Sequence, residues 1–137
     1  MKVLIDTNVI LDALVGRVPY SVSAEKLFLL VAEDKLSAFI TASSVTDIYY
    51  LLRKYLHNEN LSREVLLKLF NLFEVIEVTG SDCEKAMSIP IKDYEDALLA
   101  TCARRKKLDF IITRNTKDFI GSPVKADEPD GFLTRYF

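Results

Sequence analysis

The sequence predicts an α/β fold with a central parallel sheet of four to five strands and helices on both faces. Three observations carry this reading. Four short, apolar, β-branched runs alternate with stretches of helical periodicity. Strands of that composition belong to sheets covered on both sides. Only four glycines and four prolines occur in 137 residues, so turns are sparse and helices should dominate. The length fits one domain, residues 1–137.

The elements follow in order. Lys2 to Ile5 is a buried strand, and the polar triplet Asp6-Thr7-Asn8 ends it and starts a helix. Ser21 to Asp34 is helical, with Leu27, Leu30 and Val31 on one face. Ser37 to Thr41 is the second strand. Ser43 or Ser44 caps a helix to about Leu56, in which Val45, Ile48, Tyr49, Leu52 and Tyr55 keep helical spacing. Ser62 starts another helix to about Phe73, with a wide apolar face. Val75 to Val78 is the third strand. Ser81 to Ser88 is a short helix stopped before Pro90. Asp93 begins a helix to about Lys107, Asp109 to Ile112 is the fourth strand, and an edge strand forms around Val124.

Composition narrows the function. Eighteen basic and twenty acidic residues leave a net charge of −2, which excludes a broadly basic nucleic-acid coat but not a local patch. Cys83 and Cys102 are too few for a disulfide framework and lack metal-ligand spacing. A single histidine, His57, removes most histidine-based zinc sites and most triads; it reads as an exposed helix-end residue. The N-terminus does not read as a signal peptide, and no apolar run is long enough to cross a bilayer. The expected setting is a reducing cytoplasm.

In an open α/β sheet, sites form at the carboxyl ends of the parallel strands. Asp6 follows strand one, Asp47 lies near the start of the helix after strand two, and Asp96 is in the first turn of a helix beginning at the same edge. Asn115 and Asp118 follow strand four. Four chain segments thus bring acidic or amide groups to one rim. Crowded carboxylates raise one another's pKa and oppose ionisation, and a divalent cation relieves that cost. Mg²⁺ and Mn²⁺ suit oxygen ligands, and phosphodiester hydrolysis is the chemistry such a set favours. Capping is the competing explanation at each position. Asp6 caps the next helix, Asp93 with Asp96 resembles a capping box, Asp96 complements the helix dipole, Asp47 is a solvated face residue, and Asp118 caps a turn at Phe119.

At these residues the chain resembles the PIN-domain ribonucleases. Asp6-Thr7-Asn8-Val9-Ile10-Leu11-Asp12 is similar to the family's opening motif. Ser44-Val45-Thr46-Asp47-Ile48-Tyr49-Tyr50-Leu51-Leu52-Arg53-Lys54 resembles the second, where Glu is more usual than Asp47. Asp93-Tyr94-Glu95-Asp96-Ala97-Leu98 resembles the third, and Thr113-Arg114-Asn115-Thr116-Lys117-Asp118-Phe119 the last. The four occur in family order from Val3 to Phe119, in a form similar to VapC-type toxins. The resemblance implies a three-layer α/β/α PIN-like fold and Mg²⁺- or Mn²⁺-dependent cleavage of single-stranded RNA. It makes Asp6, Asp47 and Asp96 the metal-binding acids and Asn8 an orienting group, and it leaves the fourth position to either Asn115 or Asp118, the latter as a further metal-binding acid. Asn115 stands where many members have a fourth Asp. A homodimer and an antitoxin partner are further expectations.

For substrate contact, Arg114 and Lys117 flank Asn115 on the predicted rim, and Arg53 and Lys54 lie about two turns from Asp47. Tyr49 and Tyr50 are possible stacking platforms, with Tyr49 fitting the core. The basic run Arg104 to Lys107 lies roughly 16 Å from Asp96 along its helix and reads as helix-end charge. The wide apolar face between Leu61 and Phe73 reads as core packing or a contact surface. Two other functions remain: a phosphatase with Asp6 as nucleophile, against which Asn8 replaces the usual second acid, and a non-catalytic interaction module.

Overall fold

The computed structural model describes residues 1–137. Its elements are β1 (Lys2–Ile5), α1 (Thr7–Val15), α2 (Ser21–Ala32), β2 (Ser37–Thr41), α3 (Ala42–Leu56), α4 (Glu59–Leu72), β3 (Glu74–Ile76), α5 (Gly80–Ala86), α6 (Tyr94–Arg105), β4 (Phe110–Ile112), β5 (Ala126–Asp127) and α7 (Pro129–Tyr136). A 3₁₀ turn, Thr116–Phe119, follows β4. One five-stranded sheet runs in the order β3-β2-β1-β4-β5, and every pairing is parallel.

Strand alternation divides the core into two layers. Val3, Ile5, Ala38, Ile40 and Ile112 join the cluster under α1, α2, α3, α4 and α7. Leu4, Ile76 and Ile111 point the other way, into the cluster under α5 and α6. The result is the expected three-layer α/β/α arrangement. From β1 the chain steps outward to β2 and β3, then returns across the sheet to β4 and β5. The reversal falls between β1 and β4, whose carboxyl ends therefore border a crevice.

Some boundaries differ from the sequence reading. The fourth helix start in that reading, Ser62, is not the start of α4. Asn58 caps it, accepting the Leu61 N–H at 3.0 Å, while buried Ser62 turns its hydroxyl back to the Asn58 carbonyl at 2.7 Å. The edge strand forms at Ala126–Asp127, just past Val124. Helix α7 was not among the expected elements, which end at the edge strand around Val124. Proline is well suited to the first helical position, and tertiary burial of Phe132 and Leu133 selects the helix. Phe132 packs against Phe110, Tyr136 and Phe137.

Helices α5 and α6 are tied by one buried ion pair. Thr79 and Asp82 form a capping box at the start of α5. The Arg105 guanidinium donates to Asp82 from Nε at 2.9 Å and from Nη2 at 3.0 Å. Arg105 and Lys106 also pair with Glu77, so half of the basic run at the end of α6 is occupied within the fold.

Two predictions follow from this packing. Phe132→Ala should lower unfolding free energy by about 3–5 kcal/mol in urea titration, since the ring is fully buried. Burial would raise the Asp82 carboxyl, but the Arg105 and Thr79 hydrogen bonds outweigh it and hold it down at about 2, against an ordinary 3.8. A depressed acid stabilises the fold above its unfolded pKa and loses that contribution as pH falls toward the folded value. The contribution is on the order of 2 kcal/mol, lost between about pH 4 and pH 2. Arg105→Gln should therefore move the acid-unfolding midpoint upward, measured by circular dichroism; an unmoved midpoint would contradict the role given to this pair.

Candidate active site

Asp6 stands at the switch point, one residue past β1. Its backbone N–H continues the β1–β4 ladder by donating to the Ile112 carbonyl at 2.9 Å. Its side chain caps α1, with Oδ1 accepting the Thr7 N–H at 2.8 Å. Oδ2 accepts the Thr113 hydroxyl at 2.8 Å from the end of β4, and the Asn8 amide nitrogen lies 3.4 Å away. Capping and rim placement are thus compatible in this residue. The three donors fix the direction in which the carboxylate points.

Asp47 is reached through α3, which starts directly after β2. A hydroxyl cluster steadies that start: Thr41 lies 2.8 Å from the Ser43 hydroxyl and 2.9 Å from that of Ser44. Asp96 comes from α6, whose cap is Asp93, accepting the Asp96 N–H at 3.0 Å. Asp6, Asp47 and Asp96 meet in one cleft of about 540 Å³, together with Glu95, Ser43, Tyr50 and Lys54. No three of these carboxylates close on a single point at coordinating range.

Electrostatics register the crowding. Burial pushes Asp6 above the usual carboxylate range despite the Thr113 and Thr7 hydrogen bonds. Burial, then the charges of Asp6, Asp93, Asp118 and Glu95, push Asp96 up to about 7. Glu95 is raised chiefly by a hydrogen bond to Asp47 across the cleft, then by burial and the surrounding carboxylates. The site is an anionic, all-oxygen donor set with neither histidine nor cysteine in its lining.

The remaining sequence candidates fall to either side. Asp118 and Lys117 line an adjoining hollow with Lys92 and Asp93, and Asp96 is shared between that hollow and the cleft. Arg114 and Asn115 lie elsewhere, in a hollow with Tyr20, Ser23 and Glu128. The Arg114 guanidinium is engaged by buried Asp12 at 2.7 Å and stacks 4.1 Å over the Tyr20 ring. Arg114, expected at the substrate, is held by desolvated Asp12, which needs a cation, while its charge still acts on Asp6. Glu95 and Thr113 were not singled out from sequence. Glu95 had a signal, since residues adjacent to a first-turn acid can also reach the rim. Thr113 had a weaker one, as the residue after β4 in the place that Asp6 holds after β1.

The PIN domain family model matches residues 2–117, and the chain belongs to that family. The fold is shared with a toxin–antitoxin complex from Klebsiella pneumoniae, at 26% identity and a TM-score of 0.68, over 93% of this chain and 97% of that one. It is similar to VapBC2 from Rickettsia felis bound to a promoter DNA fragment, at 17% identity and a TM-score of 0.71, over 93% and 98%. It is also similar to PAE2754 from Pyrobaculum aerophilum, at 17% identity and a TM-score of 0.66, over 98% and 94%. No curated protein sequence matches it. No helix is long and apolar enough to cross a membrane.

The raised Asp96 has a thermodynamic consequence. A carboxyl whose folded pKa exceeds its unfolded value favours the fold when protonated and weakens it as pH rises from about 4 through about 7. In EDTA at pH 8, Asp96→Asn should raise the melting temperature by a few degrees and flatten that pH dependence. An equal or lower melting temperature would contradict the crowding.

Proposed function

We propose that this PIN-domain protein is a metal-dependent endoribonuclease that hydrolyses phosphodiester bonds of single-stranded RNA, acting in the cytoplasm as the toxin of a toxin–antitoxin pair. The observation that carries the reading is the meeting of Asp6, Asp47 and Asp96 in one cleft at the switch point of the sheet. The donors fit Mg²⁺ or Mn²⁺: all are hard oxygens, and Asp96 is raised by burial and then by its neighbours' negative charge, the second of which a dication would offset. Asp6, Asp47 and Asp96 would hold the ion between them with water completing its coordination, and Asp118 would act from the adjoining hollow. Such an ion, when bound, supplies Lewis-acid stabilisation of a phosphoryl oxygen and an activated water.

The chain's own residues do the rest. Thr7, Thr113 and Asn8 hold the Asp6 carboxylate in one orientation, so it needs little rearrangement. Lys117, which lines one hollow with Asp118, would meet a substrate phosphate there. An antitoxin partner is supported by the likeness to the Klebsiella complex along nearly the whole chain. Leu61, Leu67 and Phe70 leave apolar surface exposed on α4, which supports a homodimer.

Labelled single-stranded RNA incubated with Mn²⁺ tests this. Cleavage is expected in the parent protein, with loss in EDTA and in Asp6→Ala and Asp96→Ala. Asn8→Ala should reduce it by about 10- to 100-fold. Cleavage unaffected by EDTA and by both aspartate substitutions would refute the assignment.

A further inference from the structure

The cleft is not uniformly acidic. Its α3 wall carries Asp47, Tyr50 and Lys54 at positions i, i+3 and i+7, which share one face of a helix. At 1.5 Å per residue, Tyr50 lies about 4.5 Å and Lys54 about 10 Å along the axis from Asp47. A carboxylate, an aromatic ring and an ammonium thus succeed one another along a single wall.

Lone exposed aromatics are ordinary on protein surfaces. Tyr50 differs in three ways. It lines the cleft that holds the acids, although it is 66% exposed. Its ring is braced edge-on by Tyr49 at 5.4 Å, and Tyr49 in turn lies under the Arg63 guanidinium at 5.9 Å. The lysine one turn further on, Lys54, makes no ion pair within the chain; the lysines that do are Lys35 and Lys106. An aromatic face beside a free cation is the pairing that single-stranded nucleic acids use, since every base has a face to stack and every linkage carries a charge.

Resting on the nuclease reading above, we propose that α3 bears a nucleotide subsite, in which Tyr50 stacks one unpaired base and Lys54 binds a phosphate next to it. The strand then runs along α3 away from the acidic centre. A base held in a duplex cannot present its face to Tyr50, so the subsite selects single strands. Stacking tolerates any base, so it sets the strand's register without setting its sequence.

The test uses a 5′-fluorescein-labelled ten-nucleotide oligouridine and fluorescence anisotropy, with Asp96→Asn as the background so that the strand stays intact. Tyr50→Ala should weaken binding by about 5-fold or more, while Tyr50→Phe, which keeps the ring, should bind like the background. Oligonucleotides with one abasic position are then scanned. One position should cost the background protein as much as Tyr50→Ala does, and should cost Tyr50→Ala nothing further. Lys54→Gln should reduce the slope of log Kd against log salt by about 0.7. In the cleaving parent, Tyr50→Ala should raise KM more than it lowers kcat. Unchanged binding in Tyr50→Ala, or abasic penalties that add to it at every position, would overturn the subsite while metal-dependent cleavage by the parent left the nuclease standing. A parent that neither binds nor cuts the RNA would overturn both.

Discussion

The parallel pairing of β1 with β4 is the constraint on which the site depends. It sets Asp6 and Thr113 side by side at neighbouring strand ends, where the threonine hydroxyl reaches the aspartate carboxylate. The same pairing is where the chain reverses direction across the sheet, so helices leave the crevice on opposite faces and keep it open. Asp47 and Asp96 then arrive from helices that begin at the same edge, one from each outer layer. Three carboxylates spread from position 6 to position 96 share a cleft because their backbones share an edge.

That convergence is electrostatically unfavourable, and the rest of the molecule offsets it. After exposed Lys2, β1 is buried throughout, with Val3 and Leu4 at 0% exposure and Ile5 at 2%. Two large apolar clusters, one on each face, hold the strands that carry the acids. Buried Asp12 is neutralised by Arg114 and Arg17, which anchors the segment after β4 to α1. Asp82 and Arg105 do the same between α5 and α6. Rigid layers around a strained anionic centre are the usual relation between stability and function.

The charge around the centre is arranged as well. Lys54 flanks it on the α3 side, and Lys92 and Lys117 lie in the hollow beyond Asp96. A chain of net charge −2 can therefore present cations on both sides of an acidic core. A polyanion crossing the cleft would meet attraction at the flanks and repulsion from the carboxylates at the centre.

Much of this was legible in the sequence. The apolar β-branched runs required a covered parallel sheet, and the acids after strand ends required a common rim, because those consequences follow from periodicity and chain direction alone. The four motifs carried the family likeness for the same reason, since each marks a strand end or helix start. Tertiary structure alone decided the rest. It paired Arg114 with Asp12, because a buried carboxylate many residues away needed a cation and no local pattern records that need. It brought Glu95 opposite Asp47 and set Asn115 in a different hollow, because side-chain direction depends on which elements pack alongside. It made a helix of Pro129–Tyr136, where the burial of Phe132 against the core fixes an element the sequence reading did not assign.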